Sequence, residues 1–596
     1  MNLNFQINNL LRKFESGNKL DSYRELLKIF KKNKDDNLLR YNLAVIQQKL
    51  NLNEEAKINY NYLIKFEKNI KAMINLYNIF FSEEKYYEAL NIIDNILKIQ
   101  QIENVHKDKA FACLKLNNIK ISREICEYYL SKNSKDLIAL NILGQCSFAE
   151  EDNKMAIKIF NDILEFDPNN LSALNSLGRI YHEKRDTKNA EKFFLLALER
   201  DGYSYHIVNN IAGFYREEGK NDKAVYYYKK AINLNPNNPY VYNNLSKTFF
   251  DLGINEDAKD NSFKALKIKP DDGDIQKTLS FIYLKDHDFE KGWDYFEGRL
   301  NLNEFVKKNK NIERLNKKLF RKKILNNSKN KFLVIREQGV GDEILYGSMY
   351  GDLLKKVENV TIECDPRLLN LFKRSFPKYS NSFVELGSIS NDDYELEKID
   401  YVLYAGSLGR YYRKRLENFI NEPFLKIDHK KYTEIQSMLS KYDNKYNIGI
   451  SWKSFNNRYA SDKSLELDDF KDVFKIPNCN VFNLQYGDVL DEINNFNNKK
   501  NKLMKIEDLD LYNDFEGVAA FLKSLDMFVT ISNSTAHLAG SLGVKTILIK
   551  PDNYALFHYW NQKNNKTPWY NCVELIDREI FLKGSTNLEN YLKSMI

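Results

Sequence analysis

The sequence predicts an α-solenoid of helical hairpins followed by two Rossmann-like α/β domains. Three observations predict it: a 34-residue repeat through the first half, a switch to short apolar strands alternating with helices after Lys331, and a basic segment between the two. Small residues recur at Gly144, Gly178, Ala212, Ser246 and Ser280, each preceded by an apolar residue (Leu143, Leu177, Ile211, Leu245, Leu279). A second small series follows twelve positions later, at Ala156, Ala190, Ala224, Ala258 and Gly292. Large residues fall three positions after the first series, at Tyr181, Tyr215, Phe249 and Tyr283, with Ser147 as the exception. Pro168, Pro236 and Pro270 end three of the repeats, where a proline stops the second helix.

This pattern resembles the tetratricopeptide repeat (TPR), in which two antiparallel helices approach closely because small residues sit where they cross. The phase extends backwards through Ala44 with Ala56, Tyr77 with Ala89, and Ala110 with Ser122, and residues 5–35 read as a capping unit. About eight repeats over roughly residues 5–302 result. Each unit buries its apolar face only against its neighbours, so the array is a right-handed solenoid whose long concave surface holds a peptide or protein.

A chain of 596 residues exceeds what one core sustains, and the part beyond the array is long enough for two globular domains. Six cysteines are scattered without a CxxC pair, which argues against metal or disulfide use and for a reducing compartment. No run of eighteen apolar residues exists, and the N-terminal stretch carries charges where a leader would need an apolar run. The expectation is a soluble, cytoplasmic protein. The net charge of +8 is local: Lys307 to Lys331 holds eleven Lys or Arg against Glu313, so the remainder is close to neutral. A general nucleic-acid or membrane surface is not implied. The segment reads as a solvated linker joining array and α/β domains, with attraction of a phosphorylated donor or an anionic surface as the alternative.

After Lys331 the period changes. KFLVIREQGVGDEILYG is an apolar strand, a glycine turn (Gly339, Gly341) and a helix from about Asp342; NVTIECDPRLLNLF repeats the order, and IDYVLYAGSLG adds a strand. YNIGISWKS, CNVFNLQYGD, the helix through FEGVAAFLKSL, DMFVTIS, the helix NSTAHLAGSLG and VKTILI build a second such set. Alternation of this kind gives parallel sheets, with ligands at the carboxyl ends of the strands.

The run Glu337-Gln338-Gly339-Val340-Gly341-Asp342-Glu343, with Ala536-His537-Leu538-Ala539-Gly540 and Thr567-Pro568-Trp569-Tyr570, resembles the bacterial TPR-containing glycosyltransferases. Their C-terminal half is similar to the heptosyltransferases of glycosyltransferase family 9 and, more distantly, to O-linked N-acetylglucosamine transferases. The resemblance implies a GT-B fold and a division into a TPR array (1–302), a basic linker (303–330), an acceptor-side domain (331–430) and a nucleotide-sugar domain (431–596). It implies a metal-independent, inverting transfer from a nucleotide-sugar co-substrate, with no further cofactor.

Such a transfer needs a stabiliser for the leaving diphosphate and a base for the acceptor hydroxyl. The turn Ser532-Asn533-Ser534-Thr535 and the helix begun by Ala536 offer free amides and a positive end, with hydroxyls at Ser534 and Thr535 and the ring of His537 in reach. The other reading is a helix cap at Ser532 or Asn533 with a supporting histidine. Where the family carries an Asp-Thr pair this chain has Ser532 and Asn533, a departure that bears on the donor. Lys463 matches the place where the relatives put a lysine on the donor phosphates, and Lys453 and Arg458 compete in the same loop. Asp342, at a helix N-terminus that holds it ionised, is the candidate base, with Glu343 as substitute and an N-terminal cap as its structural alternative. Gln485, Tyr486, Gly487 and Asp488, with Ser532 and Asn533, form the candidate nucleotide wall, and Trp452 and Trp569 are candidate stacking surfaces.

In the array, Asn42, Asn75, Asn210 and Asn244 stand two residues before the small position, where O-linked N-acetylglucosamine transferases carry asparagines that grip peptide backbone; Ile142 interrupts the series. An amide side chain donates and accepts at once, which suits sequence-tolerant binding. Three functions fit: transfer to a protein held by the array, transfer to a glycan or lipopolysaccharide precursor, and a scaffold whose C-terminal half is degenerate.

Overall fold

The computed structural model describes residues 3–302, 312–321, 329–419, 421–442, 446–455, 463–497, 502–551, 558–560 and 565–583. Arg458 and most of the 303–330 segment lie outside the described residues. The chain falls into two compact units, Met1–Phe214 and Tyr215–Ile596.

The first unit is a TPR solenoid of paired helices from Leu3–Glu15 and Lys19–Lys32 to Leu171–Glu183 and Thr187–Arg200; the helix Tyr205–Glu217 contains the division. Its small residues do what the period requires. A side chain in place of Gly144 would meet the Phe160 ring at 2.7 Å, and one at Gly178 the Phe194 ring at 2.8 Å. Ser122 keeps the crossing closed by donating to Ala110 O at 2.8 Å. Ser147 is fully buried and accepts from Arg123 Nη2. First helices are capped by Asp36, Asn69, Asp136 and Asn170, whose side chains accept amides of the first turn. The turn inside each hairpin carries one residue of positive φ: Gly17 at 106°, then Asn51, Glu84, Asn117, Glu151, Arg185, Gly219, Gly253 and His287, with φ between 57° and 75°. Only three of these are glycine, so this period of the turn is invisible to composition.

The second unit begins with the remaining hairpins, Asn221–Leu234, Pro239–Asp251, Asn255–Ile268, Gly273–Lys285 and Phe289–Phe296. Helices end two residues before Pro236 and Pro270, as the prolines predict. Two sheets follow. In the first, β1 (Phe332–Ile335), β2 (Val360–Cys364), β3 (Phe383–Glu385) and β4 (Tyr401–Tyr404) run parallel in the order β3-β2-β1-β4. The second holds β5 (Tyr446–Ser451), β6 (Cys479–Asn483), β7 (Leu503–Met504), β8 (Met527–Ile531), β9 (Thr546–Lys550), β10 (Lys566–Thr567) and β11 (Tyr570–Asp577). Its order is β10-β11-β9-β8-β5-β6-β7, all parallel except the short β10. Without β10 this is the 3-2-1-4-5-6 order of a doubly wound sheet, and the first sheet has its 3-2-1-4 part. Every residue of β1 and β8 is buried, the run of apolar residues that helices on both faces demand.

Residues 312–321 are not a solvated linker. The helix Ile312–Lys317 leads to Leu319, which bridges Val402 on β4, and Phe320 N donates to Val402 O at 2.9 Å. Phe320 is buried against Phe332 and Tyr401, Lys318 Nζ donates to Ile399 O, and Arg314 pairs with Glu397. The basic chain here covers the edge strand β4, an edge that must be paired or covered.

Among the described residues no helix is long and apolar enough to cross a membrane, and no group of three His, Cys, Asp or Glu could hold a metal ion. All six cysteines are free.

Candidate functional site

The carboxyl ends of β1 and β8 lead into two strand–turn–helix corners that face one cavity of about 220 Å³ in the second unit. Gly339, Gly341 and Asp342 line it from the first corner and Ser532, Asn533, Ser534, Thr535 and His537 from the second, with Lys463, Arg367, Tyr486 and Tyr559 around them. Residues more than 190 positions apart in sequence are thereby brought together at the switch points where strand order reverses. The corners touch through Gly341: a side chain there would lie 3.0 Å from His537 Cδ2 and 3.2 Å from Ser534 Cα.

In the first corner the helix Val340–Gly347 has Gly339 as its cap, and the Asp342 carboxylate reaches back to accept the Gly339 amide at 3.2 Å. Its other oxygen accepts from the Tyr559 hydroxyl at 3.4 Å. Burial raises the Asp342 pKa above the usual carboxylate value, opposed by the Gly339 amide, the Lys463 charge and Tyr559. The helix terminus and the Gly339 amide favour the ionised carboxylate, and desolvation is the larger, opposing effect. A carboxylate shifted in this direction is a better proton acceptor. Glu343 does not reach the cavity. It is fully buried, accepts from Asp365 N at 2.9 Å and pairs with Arg336 at 2.9 Å, and burial lifts it to about 7.

In the second corner Asn533 caps the helix Ser534–Leu542, accepting from Ala536 N at 3.0 Å while its amide donates to Ser451 Oγ at 2.8 Å. Ser532 Oγ accepts from Trp560 Nε1 at 3.0 Å. Both side chains are thus occupied in holding the turn, and Ala536 is a core residue. Ser534 and Thr535 remain at the mouth of the helix terminus, with the Tyr486 hydroxyl bonded to Ser534. His537 stacks on Trp560 at 4.8 Å and its Nδ1 meets the Tyr570 hydroxyl at 3.2 Å. Burial, then the charges of Lys463 and His558, depress it to about 3, so it is a neutral ring at any working pH. Gly540 admits the Tyr570 ring, which a side chain would meet at 2.6 Å. The TPWY element therefore supports His537 and, through Thr567 Oγ1 to Tyr559 O, the partner of Asp342.

Lys463 is the cation at this end. Burial lowers it to about 8, partly offset by Asp342. Its competitor Lys453 is paired with Glu492 at 2.6 Å beside a different cavity. Of the proposed nucleotide wall only Tyr486 joins Ser532 and Asn533 in lining the cavity. Gln485 is buried, its Oε1 accepting the amides of Trp452 and Lys453 and its Nε2 donating to Tyr486 O; Gly487 and Asp488 lie outside the lining. Trp452 and Trp569 are core residues, not stacking surfaces of this cavity, because each is enclosed by apolar neighbours.

Arg367 is the residue that sequence reasoning missed. Asp365 grips it in a fork (2.8 and 3.0 Å), its Nη1 donates to Tyr512 O, and the guanidinium lies 5.1 Å from the Tyr512 ring and 5.3 Å from that of Phe515. Its signal was its place, just beyond the carboxyl end of β2. Glu337 departs from its motif in the other direction: it is buried away from the cavity and salt-bridged to Arg299.

Two of the four asparagines named in the array are engaged by neighbouring side chains of the array. Asn75 donates to the hydroxyls of Tyr41 and Tyr60, and Asn210 to Asn175 Oδ1 at 2.9 Å. Asn42 and Asn244 are half-buried. A strictly 34-spaced series stands one position earlier, at Asn141, Asn175, Asn209 and Asn243, and Asn141 lines a groove of about 620 Å³ in the first unit with Phe111, Ile138, Ile142 and Asn170.

Residues 171–203 match the family model "Tetratricopeptide repeat" and residues 214–253 the model "TPR repeat". The chain carries TPR repeats. Protein FlbA of Caulobacter vibrioides is 25% identical over 259 residues, covering 41% of this chain and 42% of that relative, so the chain spans about two fifths of its length. Among solved structures, a tetratricopeptide repeat protein from Parabacteroides merdae aligns at 18% identity and a TM-score of 0.34, over 44% of this chain and 99% of that one. MamA aligns at 21% and 0.25, over 28% and 97%. YrrB, a TPR protein with an unusual peptide-binding site, aligns at 21% and 0.24, over 30% and 92%.

Proposed function

We propose that the second unit is a glycosyltransferase of GT-B architecture that moves a sugar from a nucleotide-sugar donor to an acceptor hydroxyl, and that the array recruits a protein as that acceptor. One observation carries the reading: the glycine loop with Asp342 and the helix N-terminus at Ser534, two motifs of separate doubly wound sheets, face a common cavity with Lys463. Amides at the Ser534 helix terminus, the Ser534 and Thr535 hydroxyls and Lys463 offset the charge that develops on a departing diphosphate. Asp342, raised by burial, takes the proton of the attacking hydroxyl. With one base and a leaving group across the cavity, a direct displacement with inversion follows, needing no metal. A cytoplasmic site of action belongs to the same proposal, since nucleotide sugars are made there.

The test is a thermal-shift panel of the full chain against UDP, GDP, ADP, CMP and dTDP, each free and sugar-linked. Ligand at a hundred times its Kd stabilises by about 2.7 kcal/mol, enough for a clear shift. One nucleotide class is expected to stabilise. A flat panel would leave the TPR scaffold as the function.

A further inference from the structure

We infer that the last hairpin of the array, Gly273–Lys285 with Phe289–Phe296 and the turn Glu297–Asn301, is a positioning element of the active site that holds Asp342 from two sides, Arg299 acting through Glu337. The inference rests on the reading of Asp342 as the base.

The first arm is an ion pair. Arg299 donates from Nε and Nη2 to the two oxygens of Glu337, both at 2.7 Å, and from Nη2 to Ser407 Oγ at 3.0 Å. Glu337 also accepts the Gly406 amide at 2.5 Å. Arg299 is 2% and Glu337 5% exposed, and Arg299 Nη1 also donates to Glu297 Oε1 at 3.0 Å, so these charges are compensated inside the protein. Glu337 precedes Gln338, which has φ +61°, and then Gly339, whose amide the Asp342 carboxylate accepts. Fixing Glu337 at both oxygens therefore fixes where the loop turns into the helix. No residue of that loop supplies the cation; the array does.

The second arm is aromatic. The His558 ring lies 5.4 Å from Phe281, 5.8 Å from Trp293 and 5.9 Å from Phe296, all three on the last hairpin. The next residue, Tyr559, donates to the other oxygen of Asp342. Trp293 is itself locked, its Nε1 donating to Arg413 O at 2.9 Å and its ring filling the space a side chain at Gly409 would need. One oxygen of Asp342 is thus set by a loop anchored on Arg299, and the other by a tyrosine whose neighbour in sequence, His558, is seated on Trp293, Phe281 and Phe296. This packing joins the hairpin to the α/β part, beside the contacts that residues 318–320 make with β4 and the residues just before it.

The experiment compares hydrogen exchange across the full chain in wild type and Arg299→Lys, which keeps the charge and loses the fork. Exchange in residues 336–347 is expected to quicken about tenfold or more, while β8 and the helix after it stay unchanged. Release of nucleoside diphosphate from the sugar donor that stabilises the protein should fall about 100-fold with the nucleotide affinity kept, the mark of a misplaced group. In an Asp342→Asn background the same substitution should cost nothing further. Unchanged exchange in 336–347, a uniform rise over both sheets, or an equal fractional loss in the Asp342→Asn background would each overturn the inference. Should Arg299→Lys fail to fold, Glu337→Gln, which still accepts from Gly406, gives the same localised readout. If no nucleotide sugar binds the wild type, the enzymatic reading falls, while the exchange pattern still decides whether the hairpin holds the loop.

Discussion

The two corners of the cavity share one plan, a buried strand, a short turn and a helix, yet they are capped in opposite directions. After β1 the cap is Gly339, which has no side chain, so the acid three residues on reaches back to its amide. After β8 the cap is Asn533, whose side chain reaches forward to Ala536 N. The first arrangement leaves a carboxylate at the mouth of its helix. The second leaves neutral hydroxyls and the bare positive end of the helix. In the proposed reaction the capping direction suits one corner to accepting a proton and the other to holding an anion, and Lys463 lines the same cavity.

The largest break in this comparison comes from removing the acid. Asp342→Asn should keep nucleotide binding, measured calorimetrically, and lower transfer by about 10²–10⁴-fold, the range of a lost general base; transfer at the wild-type rate would take the proton-accepting role from this corner. Next, Lys463→Met should weaken binding of the nucleoside diphosphate that the panel selects. Lys463 titrates near 8, so wild-type affinity should fall as pH rises past that value, by about tenfold at pH 9, while the variant stays flat. Because this folded value lies below the usual lysine value, the charged side chain burdens folding below pH 8, and stability should gain between 8 and the unfolded lysine value. Asn533→Ala should cost about 1–2 kcal/mol in urea unfolding, from the lost cap and the lost amide donor to Ser451 Oγ. The smallest effect belongs to Gly341→Ala, about 1 kcal/mol, since His537 must give by a few tenths of an ångström where the corners meet.

The array was readable because its packing is local. Gly144 against Phe160 and Gly178 against Phe194 are contacts within one hairpin, so a small residue at fixed spacing reports directly on a crossing. The alternation of strands and helices was readable for the same reason. Side-chain direction was not. Glu337 and Asp342 stand five residues apart in one motif, one turned away to a cation 38 positions upstream and the other turned into the cavity. Gln485 looked like a lining residue at a strand end, but two amides of the neighbouring loop occupy it. Arg367 looked like any basic residue opening a helix until Asp365, Tyr512 and Phe515 were seen around it.

Sequence alone determined the repeat, the two sheets and the residue types that gather in the cavity, because each follows from periodicity or from turn chemistry within a few residues. Which of those residues share the cavity, and that the final hairpin of the array belongs to the same compact unit as Asp342, depended on the fold. The physical reason is range: a buried charge must be answered by whatever the chain brings to it, and Arg299 reaches Glu337 only once the hairpin and the first sheet have packed.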